Sequence, residues 1–223
     1  MPLAQIIALV DDKLRSAALG SAANLATRDR AIEQAVVQYS EDAPRVLVAD
    51  VAGVNTQTIA VPVGWVAGRS RLVQVEHPIG TLPVSTLAAA TGYDGTAWQV
   101  VFEQAPANAL VRIHYTAPHE LSDSECTIPA QHENAVASWA AAELCRQLAT
   151  QRGHDRDATI GAAATQGQSA SGDLARRARE WVAVYRTTLG LPDPDKDPGA
   201  RAAGAVVSFA TDRRRGRFNS LVG

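Results

Sequence analysis

Aromatic side chains make up only 5% of this 223-residue chain, which holds two cysteines and no long apolar run. Each scarcity excludes something. Cys126 and Cys145 stand at no metal-binding or redox spacing, so they read as two reduced thiols rather than a zinc site or a disulfide framework. No apolar stretch approaches the roughly 20 residues that a membrane-crossing helix needs. Residues 1–10 contain Leu3, Ile6, Ile7, Leu9 and Val10, yet they lack a basic leader and run into Asp11-Asp12-Lys13 without a cleavage site. That is not a secretory signal, and the expectation is a soluble protein made in the cytoplasm. The net charge of −2 and pI near 6.2 argue against a dedicated duplex-binding protein, whose surface would be basic. Gly-x-Ser-x-Gly, the phosphate-cradling Gly-x-x-x-x-Gly-Lys-Ser/Thr and Gly-x-Gly-x-x-Gly are all missing.

What is present is 46% hydrophobic residues, enough for one good core and a second small one. Ile6, Val10, Leu14 and Ala17 recur at helical spacing, with Gly20 to end that helix. Thr27 has the chemistry of a cap for a second helix, whose buried stripe is Ile32, Ala35, Val36 and Tyr39 and which Pro44 stops. The period then changes. Runs at 45–51, 58–62, 71–76, 98–102 and 110–115 are short and rich in β-branched residues, and glycines punctuate them. They predict about five strands in a small antiparallel sandwich or barrel, with 82–91 a short helix or a loop. Helices return at Ile128-Pro129, where Ala135, Val136, Trp139, Ala140, Leu144 and Leu148 mark one face. Residues 154–172 read as a polar loop. A last helix carries Leu174, Ala178, Trp181, Val182, Tyr185 and Leu189, stopped by Gly190 and Pro192.

The predicted fold class is therefore α+β: a helical bundle of about four helices with an inserted small antiparallel β domain and an extended C-terminal tail. Residues 1–44 supply the first helix pair, 45–120 the β insertion, 121–191 the second helix pair and 192–223 the tail.

Candidate chemistry is sparse. His77, His114, His119 and His132 with Cys126 could be drawn as a zinc sphere. No pair has the i, i+4 spacing of helix-borne ligands, however, and His119 reads better as fixing a turn after Pro118. Asp11-Asp12 and Glu41-Asp42 are neighbours in sequence only, because adjacent helical residues point about 100° apart. We expect no enzyme, no catalytic or metal-binding residue and no cofactor. Val75-Glu-His-Pro-Ile-Gly80 reads as an ordinary hairpin end, and Trp65 as either core or interface.

The tail is the exception. From Ala200 it holds Arg201, Arg213, Arg214, Arg215 and Arg217 against Asp212, a formal +4, so residues 1–199 sum to −6. A basic end follows an acidic body, beyond the proline-broken 191–198. Val206, Val207, Phe209 and Phe218 lie among the basic residues, and a merely solubilising tail has no need of them. Mixed apolar and basic residues suit an extended segment that adds a strand to, or threads a groove on, another protein. Its ordering would then depend on a partner.

The order of segments resembles tailed-bacteriophage head–tail connector (adaptor, or head-completion) proteins. The likeness runs through Arg28-Asp-Arg-Ala-Ile-Glu-Gln-Ala-Val-Val-Gln-Tyr-Ser-Glu-Asp-Ala-Pro-Arg45, Trp65 with Val75-Glu-His-Pro-Ile-Gly80, and Val111-Arg-Ile-His-Tyr-Thr-Ala-Pro-His119. It continues through residues 128–148 and Ala175-Arg-Arg-Ala-Arg-Glu-Trp-Val-Ala-Val-Tyr185. The resemblance implies a structural virion protein of the phage neck, a homo-oligomeric ring, commonly a dodecamer, that joins the portal protein to the tail and helps retain packaged DNA. The implied partners are the portal and other neck or tail proteins, with non-specific DNA contact by the arginines and no membrane. The implied location is the virion neck, and the host cytoplasm during assembly. The portal-docking residues would be Val206, Val207, Phe209, Arg213, Arg214, Arg215, Arg217 and Phe218. The β insertion is larger than in minimal all-helical adaptors. A tail terminator or another neck ring is the near alternative. A small nucleic-acid-binding regulator using the basic tail is the alternative from a different class.

Overall fold

A computed structural model describes residues 2–14, 22–53, 55–107, 110–154 and 163–192. Among them the chain is a mixed α+β protein with four helices and two three-stranded antiparallel sheets. It divides into two compact units: one holds the described residues up to Ala43 and from His119 onward, the other is Pro44–Pro118.

The first unit is helical. α1 (Pro2–Leu14) buries Ile6, Val10 and Leu14, four apart and so on one face. α2 (Ala22–Asp42) buries Ala31, Ile32, Ala35, Val36 and Tyr39. It starts ahead of Thr27, which lies inside the helix and is not its cap. The alanine-rich run 22–26 has enough helix propensity to carry the helix back past it. Ala17 and Gly20 lie outside the described residues. α3 (Ala130–His154) is apolar nearly all round between Ala135 and Cys145, as a helix must be when others surround it. It packs most extensively on α4 (Ala163–Leu189), then on α2 and α1. One apolar core is common to all four helices, and Trp139 and Trp181 border it partly buried.

α4 begins earlier than the composition suggests. Residues 163–172 are helical, not loop, because alanine and glutamine outweigh Gly167 and Gly172, each of which costs about 1 kcal/mol in a helix. Residues 155–162 lie outside the described set. At its other end Gly190 takes φ 67°. There the Gly190 N–H donates to Thr187 O (3.2 Å) and the Leu191 N–H to Arg186 O (2.9 Å), the paired bonds of a Schellman cap.

The second unit has six strands, not five: β1 (Arg45–Ala52), β2 (Thr58–Ala60), β3 (Leu72–Glu76), β4 (Ala89–Tyr93), β5 (Trp98–Phe102) and β6 (Leu110–Ala117). They pair in the orders β1-β6-β3 and β2-β5-β4. β4 begins within 82–91, the stretch read as helix or loop. Ala-Ala-Thr-Gly-Tyr has weak strand propensity, and its pairing with β5 from Ala89↔Phe102 to Tyr93↔Trp98 makes it a strand. Val75, Val111, Ile113 and Tyr115 of one sheet and Ile59, Val100 and Phe102 of the other form a single core. Along β6 the inward side chains alternate with Arg112 and His114, as the sequence pattern requires.

Candidate partner-binding surface

The tail residues Val206, Val207, Phe209, Arg213, Arg214, Arg215, Arg217 and Phe218 all lie outside the described residues. The described residues place another surface in view. Among residues whose burial is described, the large apolar side chains that stand exposed all belong to 44–118: Val46, Val48, Val63, Val66, Leu82, Val84, Tyr93, Val101 and Leu110. That stretch is also neutral. Arg45, Arg69, Arg71 and Arg112 balance Asp50, Glu76, Asp94 and Glu103, so the −6 carried by residues 1–199 falls on the rest. A neutral face with scattered apolar side chains suits contact with protein better than contact with a polyanion.

The exposed side chains are held by built turns. The Trp65 N–H donates to Pro62 O (3.1 Å) across Pro62-Val-Gly-Trp65, and Gly64 takes φ 95° at the third position, where a type II turn demands it. Tyr115 donates its hydroxyl to Val63 O (2.8 Å), and a Cβ on Gly64 would meet that hydroxyl at 3.1 Å. The turn is thus pinned from the core while Val63 points fully into solvent. Trp65 itself is half-buried against the β core, 5.9 Å from the Tyr115 ring, with its indole N–H buried and unbonded. It belongs to the core side, and Val63 and Val66 beside it are the outward residues. After β3, the buried Glu76 accepts the Gly80 N–H (2.8 Å). The chain then returns alongside β3 through His77 N–H to Ser85 O and Leu87 N–H to Val75 O, displaying Leu82 and Val84 on the way.

The outer face of the β1-β6-β3 sheet carries a charged row. Arg112 bonds both oxygens of Asp50 (2.8 and 3.0 Å) and stands 3.8 Å from Glu76, with His114 4.0 Å from the same carboxylate. The hydrogen bonds from Arg112 hold the Asp50 carboxyl below its ordinary range. At the β4–β5 turn, the backbone N–H groups of Ala97 and Thr96 do the same for Asp94.

The residues that could be drawn as a metal sphere are spread out. His77 and His114 are on the β unit, and His119 and His132 flank Tyr39 in the helical one. The His119 ring faces Ala43 O and Thr127 O, each at 3.0 Å, and so ties the end of α2 to the segment before α3. His132 Nδ1 meets the Tyr39 hydroxyl at 2.7 Å, and the Cys126 thiol faces Ile128 O. Among the described residues no group of three or more His, Cys, Asp or Glu is placed to hold a metal. The acidic neighbours serve packing. Asp11 takes Arg28 at 3.0 Å, and Asp42 accepts the Tyr185 hydroxyl at 2.6 Å. Burial first, then that bond to Asp42, pushes the Tyr185 hydroxyl well up, and burial does the same to the Cys145 thiol, which favours the unreactive protonated form. No helix of the described residues is long and apolar enough to cross a membrane.

The exposed valines escaped the sequence reading although one signal was there. Arg-Val-Leu-Val-Ala-Asp-Val is apolar at positions of both parities, more than a half-buried strand needs. Comparison with known proteins finds no matching family model and no matching curated protein.

Proposed function

We propose that this chain is a structural, non-enzymatic protein of the bacteriophage neck. In this reading it is an adaptor whose homo-oligomeric ring joins the portal to the tail and helps retain packaged DNA. The observation that carries the reading is the order of the parts: two helix pairs, separated in sequence by 44–118, share one core with a β unit between them. That is the order in which the adaptor-like segments occur. In this proposal the four helices are the adaptor's bundle, 192–223 is the extended basic tail that docks on the portal, and the apolar β surface meets adjacent copies or the next ring. The mechanism is geometric. Each copy buries a modest surface, and multivalency makes the closed ring effectively permanent.

The test is co-expression with a portal protein, read by native mass spectrometry and electron microscopy. The expected outcome is a dodecameric ring on the portal that is lost when residues 200–223 are deleted. A chain that stays monomeric and instead binds duplex DNA with steep salt dependence would replace this reading with the nucleic-acid regulator.

A further inference from the structure

The two ends of the β unit differ in charge, and the register of its strands sorts the residues between them. At one end Arg45 stands opposite Ala117, and Arg71 exchanges two bonds of 2.8 Å with Thr116. Arg69 and the Pro62–Trp65 turn belong to the same end, since a Cβ on Gly64 would lie 3.9 Å from Leu47, which pairs with Tyr115. Asp94 lies on that side too, because Ala60 pairs with Gln99 just before the chain enters the Pro62 turn. Three arginines and one aspartate leave this end at +2. At the other end Asp50, Arg112 and Glu76 align across the three strands of their sheet. Glu103 joins them: its N–H bonds Ala88 O, next to Leu87, whose own N–H bonds Val75 O. Three acids and one arginine leave that end at −2. Among the described residues Arg45, Arg69 and Arg71 have no carboxylate partner and Glu103 no cation, whereas Asp50, Glu76 and Arg112 satisfy one another. Each end also shows apolar side chains. Val63 and Val66 stand exposed at the basic end, and Leu82, Val84 and Leu110 at the acidic one.

The geometry points to a second copy of this chain as the partner, docked head to tail: the basic end of one β unit meets the acidic end of the next. Each end supplies what the other needs. Unpaired arginines beside Val63 and Val66 face unpaired acid beside Leu82 and Val84, so apolar contact and charge complementarity coincide. A two-fold pairing of either end with itself would instead set like charges against each other, which is costly. A polyanion would be turned away by the acidic end and would leave the apolar side chains there unused. Head-to-tail contact leaves one end free on every added copy, so it runs on until the rotation between copies closes a ring. Two or three apolar side chains a side make a weak contact, which a closed ring multiplies. This contact rests on the homo-oligomeric ring proposed above and names the ends by which its copies meet.

The experiment is analytical ultracentrifugation of the full chain from about 5 to about 500 µM, where mass action reveals a weak contact. The expected result for the wild type is association that passes beyond the dimer, because each added copy brings an unused end. Arg69→Glu/Arg71→Glu and Glu103→Lys/Gln104→Lys should each raise the dissociation constant at least about tenfold. The second does so although it moves the net charge from −2 to +1, nearer to zero. All four changes in one chain make the ends opposite again and should bring the constant back to within about threefold of wild type. A wild type that stays monomeric throughout, or stops at a dimer, overturns the proposal. So does a quadruple variant that associates as weakly as the double ones. The adaptor reading stands or falls separately, on co-expression with the portal. Rings formed in normal yield by either double variant leave that reading in place and overturn this contact. Association through the ends with no ring on the portal supports this contact and overturns the adaptor reading alone.

Discussion

In the helical unit no large apolar side chain whose burial is described stands exposed, whereas in the β unit Val63 and Leu82 stand almost wholly in solvent. The difference follows from geometry. α3 has neighbours on several sides, so its whole circumference between Ala135 and Cys145 finds a partner. Two three-stranded sheets can cover only their facing sides, leaving outer faces, turns and edges. Charge divides too: residues 44–118 are neutral, and the acidic excess falls outside them, much of it on Glu120, Asp123 and Glu125 ahead of α3. The helical unit covers its own apolar side chains, and the β unit leaves several of its own in solvent.

The largest effect expected from breaking this contrast is in the β core. Ile113→Ala empties a fully buried site and should cost about 2–5 kcal/mol, seen as faster amide exchange throughout 44–118. If the slowest helical amides accelerate equally, the units are not separately stabilised. Next comes Ala141→Leu, which adds volume where α3 is closed in and should cost about 1–3 kcal/mol, seen as a lower urea midpoint with an unchanged slope.

The units should also fail at opposite ends of the pH scale. Asp50 and Asp94 are held below their ordinary range, so their stabilisation is complete above about pH 4 and is lost as pH falls through their folded values. Tyr39, Tyr185 and Cys145 are pushed up by burial, so theirs is complete below about pH 8.5 and is lost as pH rises. Lys13, lowered by burial, works the other way. Two-dimensional NMR should lose β-unit peaks first in acid and helical peaks first in alkali; the reverse order would refute the assignment. The smallest effect is Val63→Ser with Leu82→Ser. Stability should move by less than about 0.5 kcal/mol, while the ring association proposed above, followed by sedimentation, should weaken.

Much of the architecture was legible because it rests on periodicity. The stripes of α1, α2 and α4, the alternation in β6 and the Gly190–Pro192 stop all show in single residues. The errors fell where tertiary contact overrides composition. β4 is a strand only through its partner, and glycines did not prevent the start of α4. The surface was harder to see. Val46 and Leu47 look alike in sequence, and only the pairing of β1 with β6 on one side tells which of them faces out. The tail remained a statement about charge and apolar content alone.

The pairing of β1 with β6 also has a consequence for the order of folding. The first and last strands of the β unit meet at Arg45↔Ala117, so this stretch closes its own ends. Every strand pair among the described residues lies within 44–118, so none of these pairs waits for the helices made later. α1 and α2, made first, must wait for α3 with their stripes uncovered, a gap of 87 residues or roughly 4–17 s of synthesis. Without the β unit, joining α2 to α3 would mean closing a long flexible loop. With it folded, Ala43 and His119 arrive side by side, and the His119–Ala43 hydrogen bond marks the point where the interrupted helical domain resumes.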